Sequence, residues 1–330
     1  MMTSAEPWLS ILIPVYNVEN YIEECIQSIT NQNLSGVEII ALDDCSTDGS
    51  LARLQNLSAI VNHPINILRH ASNRGLSAAR NSMMAVARGT YIWFIDSDDI
   101  LNPNAIDELK AIAHKYSPDL VMCDFNVLRS EQKTKHIWRG ENHVSSFSGE
   151  SYTLAFDPMK LFDGIYQNQN LHIWSKISKR RIWAHDLRFP EGKLMEDMVV
   201  TPQLALRVQS YYHHPKPWIA YRQRPDSILK TLSPAKINDS STANANTLSL
   251  WLKKYPNMPA ASKFIFSYFC IKIHIGLMRE LRNLNNAEKI NWEIYRERLF
   301  SSIQMNKKSI YLEYLKRLWL LRLIRFVREH

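Results

Sequence analysis

The chain predicts an α/β fold: a mixed, mostly parallel sheet flanked by helices and followed by a helical C-terminal region. Three observations carry this expectation. Over the first 125 residues, apolar runs of strand length alternate with stretches of helical period, and that alternation builds parallel sheets with right-handed crossovers. One run, Tyr91-Ile92-Trp93-Phe94-Ile95, is apolar throughout, as in a strand covered on both faces, and stops at Asp96-Ser97-Asp98-Asp99. From Leu248 onward the pattern is helical, with Lys and Arg interleaved among aromatics.

In chain order, Leu9–Pro14 is a strand stopped by its proline, and Asn17 is a good N-cap for a helix carrying Tyr21, Ile22, Cys25, Ile26 and Ile29 at helical spacing. Val37–Leu42 is a second strand ending in Asp43-Asp44, with Ser46 or Asp48 to cap the next helix. Ile65–Leu68 is a third. A helix over Leu76–Ala87, ended by Gly89, leads into the Tyr91–Ile95 strand. Asn102-Pro103 supplies an N-cap and a first-turn proline for a helix to Tyr116, and Leu120–Cys123 is another strand. Beyond Asp124 the pattern loosens. Ser130–Ser151 suggests a long loop or hairpin, Met198–Val208 a helix, Tyr211–Tyr221 an extended run, and the Ser-, Thr- and Asn-rich Asp226–Thr247 a linker or mobile loop. Residues 1–125, 126–235 and 236–330 are the expected divisions.

The 330 residues carry a formal net charge of +8, unevenly placed. From Ser240 to the end, Lys and Arg outnumber Glu by 16 to 6. The four cysteines (Cys25, Cys45, Cys123, Cys270) are far apart with no CxxC, which fits reduced thiols and a cytoplasmic location. The N-terminus lacks a basic-then-apolar signal, and no stretch reaches the roughly 20 apolar residues of a membrane span. Tyr314–Val327 reads as a helix with Leu315, Trp319, Leu323 and Phe326 on one side and Arg322, Arg325 and Arg328 on the other. Such a helix serves equally to lie on an anionic membrane surface (314–330) or to pack on the domain or another subunit.

Strands ending at Tyr16-Asn17, Asp43-Asp44 and Asp96–Asp99 converge polar groups on one sheet edge, where ligands of open α/β sheets bind. Three neighbouring carboxylates repel unless a cation sits among them, and oxygen-only ligands favour Mg²⁺ or Mn²⁺, which in turn holds a phosphate. With Asn102-Pro103 already capping the next helix, Asp96 and Asp98 are free for that role. There is no GxGxxG and no GxxxxGK[ST], so a cation and basic side chains must hold the phosphates. Asn73-Arg74-Gly75-Leu76-Ser77-Ala78-Ala79-Arg80-Asn81 offers such side chains at a helix N-terminus. His213-His214 reads as a surface pair, since neighbours on a strand point apart.

Four segments in order, Ile11-Leu12-Ile13-Pro14-Val15-Tyr16-Asn17-Val18-Glu19, Leu42-Asp43-Asp44-Cys45-Ser46-Thr47-Asp48-Gly49-Ser50, Asn73-Arg74-Gly75 through Ala79-Arg80-Asn81, and Asp96-Ser97-Asp98-Asp99, closely resemble family 2 glycosyltransferases of the GT-A fold over roughly the first 125 residues. The resemblance implies inverting transfer of a sugar from a nucleotide diphosphate sugar, a UDP-sugar foremost, to a hydroxyl of a saccharide or lipid-linked acceptor. It implies a nucleoside pocket of Pro14, Val15, Tyr16 and Glu19, with Asp44 binding the base. Asn73, Gly75, Arg80 and Ser97 would complete the nucleotide-sugar site. Asp96 and Asp98 would be the DxD motif, with Asp98 the direct metal ligand and Asp96 nearer the ribose or bridging waters. Cys45 stands where many relatives have Gly.

Further on, Ile173-Trp174-Ser175-Lys176-Ile177 resembles the Trp-x-Lys segment of bacterial polysaccharide transferases. Glu191–Asp197 resembles the segment ending in the Glu196-Asp197 pair that supplies the catalytic base, and Tyr221–Arg224 with Ser227-Ile228 the basic strand and loop that reach the diphosphate. Asp197 is the expected base. Pro202 belongs in a first helical turn, so a helix beginning near Asp197 places this acid at its positive end, where the carboxylate should stay ionised. Trp174 either stacks on an acceptor sugar or packs in the core, and Lys176, Arg222 and Arg224 either neutralise the diphosphate or are solvated. The implied setting is bacterial surface polysaccharide (capsule, O-antigen or lipooligosaccharide), on the cytoplasmic side, with no nucleic acid and an open question of homo-oligomers. A sugar-phosphate nucleotidyltransferase would need a Gly-rich basic loop after the first strand, which Pro14-Val15-Tyr16-Asn17 is not. A basic glycan- or nucleic-acid-binding protein would leave the three acidic strand ends unexplained.

Overall fold

A computed structural model describes residues 6–129, 131, 133–184, 186–224, 234–282, 292–303 and 305–329. The first part contains β1 (Leu9–Val15), α1 (Ile22–Thr30), β2 (Val37–Asp43), α2 (Ser50–Ile60), β3 (Ile65–Arg69), α3 (Leu76–Val86), β4 (Tyr91–Phe94), β5 (Ile100–Leu101), α4 (Ala105–Tyr116) and β6 (Leu120–Leu128). Then come α5 (Thr134–Trp138), β7 (Leu154–Ala155), α6 (Pro158–Asn168), β8 (Lys176–Lys179), α7 (Glu196–Arg207) and β9 (Tyr211–Arg222). The C-terminal helices are α8 (Pro234–Thr242), α9 (Thr247–Lys254), α10 (Ala260–Arg282), α11 (Trp292–Ile303), α12 (Lys307–Lys316) and α13 (Leu320–Glu329).

The strands make one mixed sheet in the order β3-β2-β1-β4-β8-β6-β9-β5, with β7 on β9. β1 is parallel to β2 and β4, β2 to β3, and β6 to β9. β8 runs against both β4 and β6, so those two point the same way, and the carboxyl ends of β1, β2, β4, β6 and β9 share one edge. This is the expected GT-A layout, and it gathers the chemistry at that edge.

Alternation along the strands explains why both faces are covered. Leu12 of β1 joins a core with Ile40, Phe94 and Met122, while Ile11 and Ile13 join another with Ile39 and Trp93. The amphipathic α1 covers the second face with Ile22, Cys25, Ile26 and Ile29, a spacing of three and four that makes one stripe. On the first face Phe264, Phe266 and Phe269 of α10, Trp251 of α9 and Tyr314 of α12 pack with Phe162 and Tyr166 of α6. The basic C-terminal third thereby shares a core with the sheet. α10 includes Ala260–Arg279, a stretch long and apolar enough to cross a membrane, contrary to the sequence expectation. It is 56% buried within the fold, as a core helix is.

Several local expectations are corrected. Asn17 caps no helix: it sits at φ 51° and its Oδ1 accepts the Thr47 N–H at 2.9 Å, while α1 begins at Ile22. Asn102-Pro103 does not start α4, which begins at Ala105; the Asn102 amide instead donates to Asn126 and to the Pro217 carbonyl, joining β5 to β6 and β9. Asp226–Thr247 is not all linker, since α8 occupies Pro234–Thr242 and residues 225–233 lie outside the described residues. The Ser130–Ser151 segment does fold back as a hairpin-like loop, with an antiparallel bridge from Val144 to Phe125, and among its described residues it also carries a short helix, α5. His213 and His214 do point apart but are buried, bonded to Asp124 (2.9 Å) and Glu108 (3.0 Å).

The C-terminal helix is two helices. The chain breaks at Leu318 (φ 53°), and Trp319, just before α13, turns onto the core together with Leu323 and Phe326 of α13. Leu320, Leu321, Ile324 and Val327 are left exposed on the opposite side.

Candidate active site

One cavity of about 780 Å³ opens at the shared strand edge, within the range of small-molecule sites. Pro14, Val15, Tyr16, Asp44, Asn73, Gly75, Arg80, Asp96, Ser97, Asp98, Trp174, Glu196, Asp197, Arg222 and Arg224 all line it. Glu19 and Lys176 do not.

At one end Asp44, buried at the end of β2, pins the loop before α3. Its Oδ2 accepts the Gly75 N–H (2.7 Å), and Oδ1 accepts the Arg74 N–H (2.9 Å) and lies 2.6 Å from His70 Nδ1. His70 in turn reaches Ser82 Oγ at 2.9 Å. Gly75 has φ 85° and ψ 165°, a region that only glycine populates freely, which explains this residue ahead of α3. Glu19 lies behind the pocket. Its Oε2 accepts the Gly49 N–H (2.7 Å) and braces the turn into α2, because the loop after β1 is drawn onto that turn. Cys45 sits at φ 60°, a left-handed conformation that glycine adopts more freely.

At the centre Arg80 is 1% exposed and holds three carboxylates. Nη2 donates to Asp96 Oδ1 (2.9 Å), and Nη1 to Glu196 Oε1 (2.7 Å) and Asp197 Oδ1 (3.2 Å), with the guanidinium over the rings of Phe94 and Phe189. Burial opposes its charge, but Asp96, Asp197 and Glu196 outweigh it and hold the group above its ordinary value. The neighbouring Asn81 exchanges hydrogen bonds with Phe189 N and O (2.9 Å each), tying down the segment that leads to Glu196 and Asp197.

Asp197 stands in the first turn of α7, as expected, but Pro202 lies well inside that helix. Nor does the helix end hold its pKa down. Burial raises its pKa; Arg80 and the Ile173 N–H (3.1 Å to Oδ2) pull it down, Asp96 pushes it up, and the net direction is upward. Glu196 is raised by burial and by Asp197. Two adjacent half-buried acids share one cation, and desolvation exceeds the help of a helix end.

The β4 edge carries the other acids. Asp98 is raised by burial and by Asp96, and Asp99 well above the ordinary range by burial, Asp98 and Asp96. Arg224 Nε lies 2.9 Å from Asp98 Oδ2. Arg222 donates its N–H to Asp99 Oδ1 and its Nε to the Asp98 carbonyl (2.8 Å each), and pairs with Glu24. Both basic residues therefore answer the acid cluster rather than solvent. Ser227 and Ile228 lie outside the described residues.

Among the described residues no group of three or more His, Cys, Asp or Glu could hold a metal. Asp96 and Asp98, two cavity-facing carboxylates that repel each other, do fit a hard cation that completes its shell with phosphate oxygens and water.

Trp174 is 2% exposed and is core: Phe125 packs edge-on at 4.9 Å and its carbonyl accepts the Trp93 Nε1–H. The ring of His172, which the sequence reading missed, stacks on it at 4.9 Å, with Tyr221 alongside, and both line the cavity. Burial and then Lys176 push His172 down to about 4, so it is neutral near pH 7. Lys176 is neither solvated nor at the cavity. Its buried ammonium donates to the carbonyls of Asn170 (2.8 Å) and His172 (3.1 Å) and to Ser175 Oγ (2.7 Å), because a buried charge needs every donor filled. That closes the turn whose Ile173 N–H holds Asp197.

Comparison with known proteins bears on the family and the fold. Residues 10–179 match Glycosyl transferase family 2, about half of the chain. The chain is 29% identical over 228 residues to glycosyltransferase GlyA of Streptococcus pneumoniae serotype 4, covering 67% of this chain and 31% of that protein. It is 30% identical over 164 residues to the poly(ribitol-phosphate) beta-glucosyltransferase of Bacillus spizizenii, covering 49% of this chain and 26% of that one. The chain thus spans about a third or less of these two relatives. S. aureus TarS 1–349, solved in complex with UDP-GlcNAc, superposes with a TM-score of 0.68 at 18% identity, over 94% of this chain and 87% of that one. The chain belongs to glycosyl transferase family 2.

Proposed function

We propose that the protein transfers a sugar, with inversion, from a UDP-sugar to a hydroxyl of a saccharide acceptor in the synthesis of a bacterial surface polysaccharide. The observation that carries this reading is that Asp44, Asp96 and Asp98, from the ends of two strands, share one cavity with Asp197 at the start of α7. The UDP-GlcNAc bound by TarS and the polyol-phosphate named for the B. spizizenii relative support the donor and the polymer class. Residues 1–125 would hold the donor and 126–235 the base and acceptor.

In a single displacement the acceptor oxygen attacks the anomeric carbon as its proton passes to the Asp197 carboxylate. The bond from that carbon to the diphosphate oxygen breaks, and the electron pair leaves with the nucleoside diphosphate. A base with a raised pKa suits this role, because proton transfer is most efficient when the base lies near the working pH. Asp98, with Asp96, would hold Mn²⁺ or Mg²⁺, which when bound supplies positive charge to the diphosphate. Arg80 and the Ile173 N–H orient Asp197. Arg222 and Arg224 stand beside the metal acids, within reach of the leaving group. The exposed face of α13 would hold the protein to the cytoplasmic side of an anionic membrane.

The experiment is a panel of UDP-, GDP- and CDP-sugars with Mn²⁺, Mg²⁺ or EDTA, applied to the wild type, Asp98→Ala and Asp197→Asn. We expect metal-dependent UDP-sugar binding that is lost in Asp98→Ala and kept in Asp197→Asn, with transfer in the latter down by at least about 10²-fold. Product with the donor's anomeric configuration would overturn inversion, and failure of every sugar nucleotide to bind would sink the whole reading.

A further inference from the structure

The two acids that fit the cation are each answered by an arginine, and the two arginines are held very differently. Arg80 meets Asp96 from full burial, anchored by two further carboxylates and two aromatic rings. Arg224 meets Asp98 where both side chains are partly exposed, Nε to Oδ2 at 2.9 Å. That contact is one of charge without alignment, since the buried Arg224 Nε–H makes no hydrogen bond among the described residues. An unpaired buried donor costs free energy and favours a rearrangement that gives it an acceptor. The Arg224 guanidinium lies over the Tyr21 ring at 5.3 Å, and Arg222 shares that ring at 5.2 Å. Arg222 is tied further: to Glu24, to the Asp98 carbonyl and, through its backbone N–H, to Asp99. The Gln223 N–H donates to the Leu128 carbonyl (2.9 Å), so the backbone is fixed up to the residue before Arg224. Arg224 is thus a cation on a fixed pivot with one misaligned carboxylate contact among the described residues.

A hard divalent cation takes a carboxylate oxygen at about 2 Å. On Asp98 Oδ2 it would stand close beside the Arg224 guanidinium, where like charges in a partly desolvated site repel. The oxygens of a diphosphate would supply the acceptors that Arg224 lacks, and a planar guanidinium suits them. We propose that Arg224 and the divalent cation exclude each other at Asp98, and that the donor's diphosphate draws Arg224 away, so that cation and nucleotide bind as a coupled pair. This inference rests on the transferase reading for the cavity's identity, and adds the side chain that couples its two ligands.

The test is Mn²⁺ binding to the full chain, read from the loss of the free Mn²⁺ EPR signal, with and without UDP and corrected for Mn²⁺ held by UDP in solution. The proteins are the wild type, Arg224→Met, Arg224→Gln and Arg222→Met, with a melting curve of each to check the fold. In the wild type UDP should tighten Mn²⁺ by at least about fivefold, the low end of ordinary coupling, and Mn²⁺ should tighten UDP by the same factor. Both Arg224 variants should bind Mn²⁺ alone about two- to fivefold more tightly, as expected when a partly exposed ion pair no longer competes. With UDP present they should bind it no more tightly than the wild type, so the coupling shrinks. Arg222→Met removes the same charge but no contact with the Asp98 carboxylate, so it should shift both affinities by one factor and keep the coupling. Equal tightening by the Arg224 variants with and without UDP would overturn the exchange, as would no tightening in either condition. The same loss of coupling in Arg222→Met would overturn the assignment to Arg224. Independent binding of UDP and Mn²⁺ in the wild type would overturn the inference and leave the transferase reading standing. No UDP binding in the wild type would instead remove the transferase reading itself.

Discussion

Arg80 is a buried cation matched to acids that are far apart in sequence. Without it, Asp96, Glu196 and Asp197 would lose the one cation that all three contact. Arg80→Met should destabilise the fold by about 3–5 kcal/mol at neutral pH, the cost of breaking a buried pair. The sign of the pH dependence follows from the carboxyl groups. The folded pKa values of Glu196 and Asp197 are raised above the unfolded ones, and losing the cation raises them further, so the folded variant binds more protons than the unfolded chain. The deficit should shrink as pH falls toward the carboxylate range; a thermal melt series from pH 7.5 to 5 in which it is constant would remove the electrostatic explanation. Lys176 acts at one remove, through the turn it closes. Lys176→Met should keep UDP-sugar affinity while lowering kcat by about 10–10²-fold, because a loosened turn misplaces Asp197. Burial pushes the Lys176 ammonium down to about 8, opposed in part by Asp197 and Asp124, so above that pH the amine loses a donor to the turn. The wild-type kcat profile should therefore fall on the alkaline side with a midpoint near 8, and this limb should be missing in Lys176→Met. An identical limb in both proteins would assign it elsewhere.

At the scale of elements, β8 and α13 show how much depends on placement. β8 is four residues long, yet by running against both β4 and β6 it aligns the two halves of the sheet and sets its preceding turn beside α7. α13 illustrates the limit of reading a helix as a wheel. Its arginines and leucines were legible, but the break at Leu318 and the docking of Trp319, Leu323 and Phe326 decide which apolar residues face outward. A Leu321→Glu, Ile324→Glu, Val327→Glu triple variant changes only exposed positions, so its melting temperature should be close to the wild type. Its flotation with anionic liposomes should be lost. Retained flotation would mean that α13 does not hold the protein to lipid.

At the scale of the whole molecule, the site is assembled from β1, β2, β4, β9, α3, α7 and α10, so ligand binding should be felt by the fold as a unit. UDP with Mn²⁺ at about 100 times its dissociation constant should add about 2.7 kcal/mol of stability. In a protein of this size that is a melting rise of several degrees, seen by thermal shift. UDP with EDTA should give less, as should UDP with Mn²⁺ on Asp98→Ala. Equal shifts with and without metal would argue against a cation between Asp98 and the diphosphate.

The strands before Asp124, the parallel order and the acids at their ends could be read from the chain directly, because they rest on local patterns: apolar runs, punctuation by Pro and Gly, and motifs within a few residues. Asp44, Arg80, Asp96, Asp98 and Asp197 were all singled out in this way, and the fold brings them to one cavity. What those side chains meet there could not be read. Glu19 and Lys176 turn away from the cavity to brace turns, Trp174 is core beneath His172, and Arg224 answers Asp98. Phe269 and Ile273, which also line the cavity, come from a helix in the basic C-terminal region that the sequence set apart from the sheet. Asp197 was expected to be ionised on the strength of a helix terminus, a local feature, but burial and Asp96 act on it through space from residues about a hundred positions away. Backbone preference and hydrophobic period are properties of neighbours in sequence. Desolvation, charge–charge coupling and cavity lining are properties of neighbours in space, and these depend on how the two halves of the sheet and the C-terminal helices close on one another.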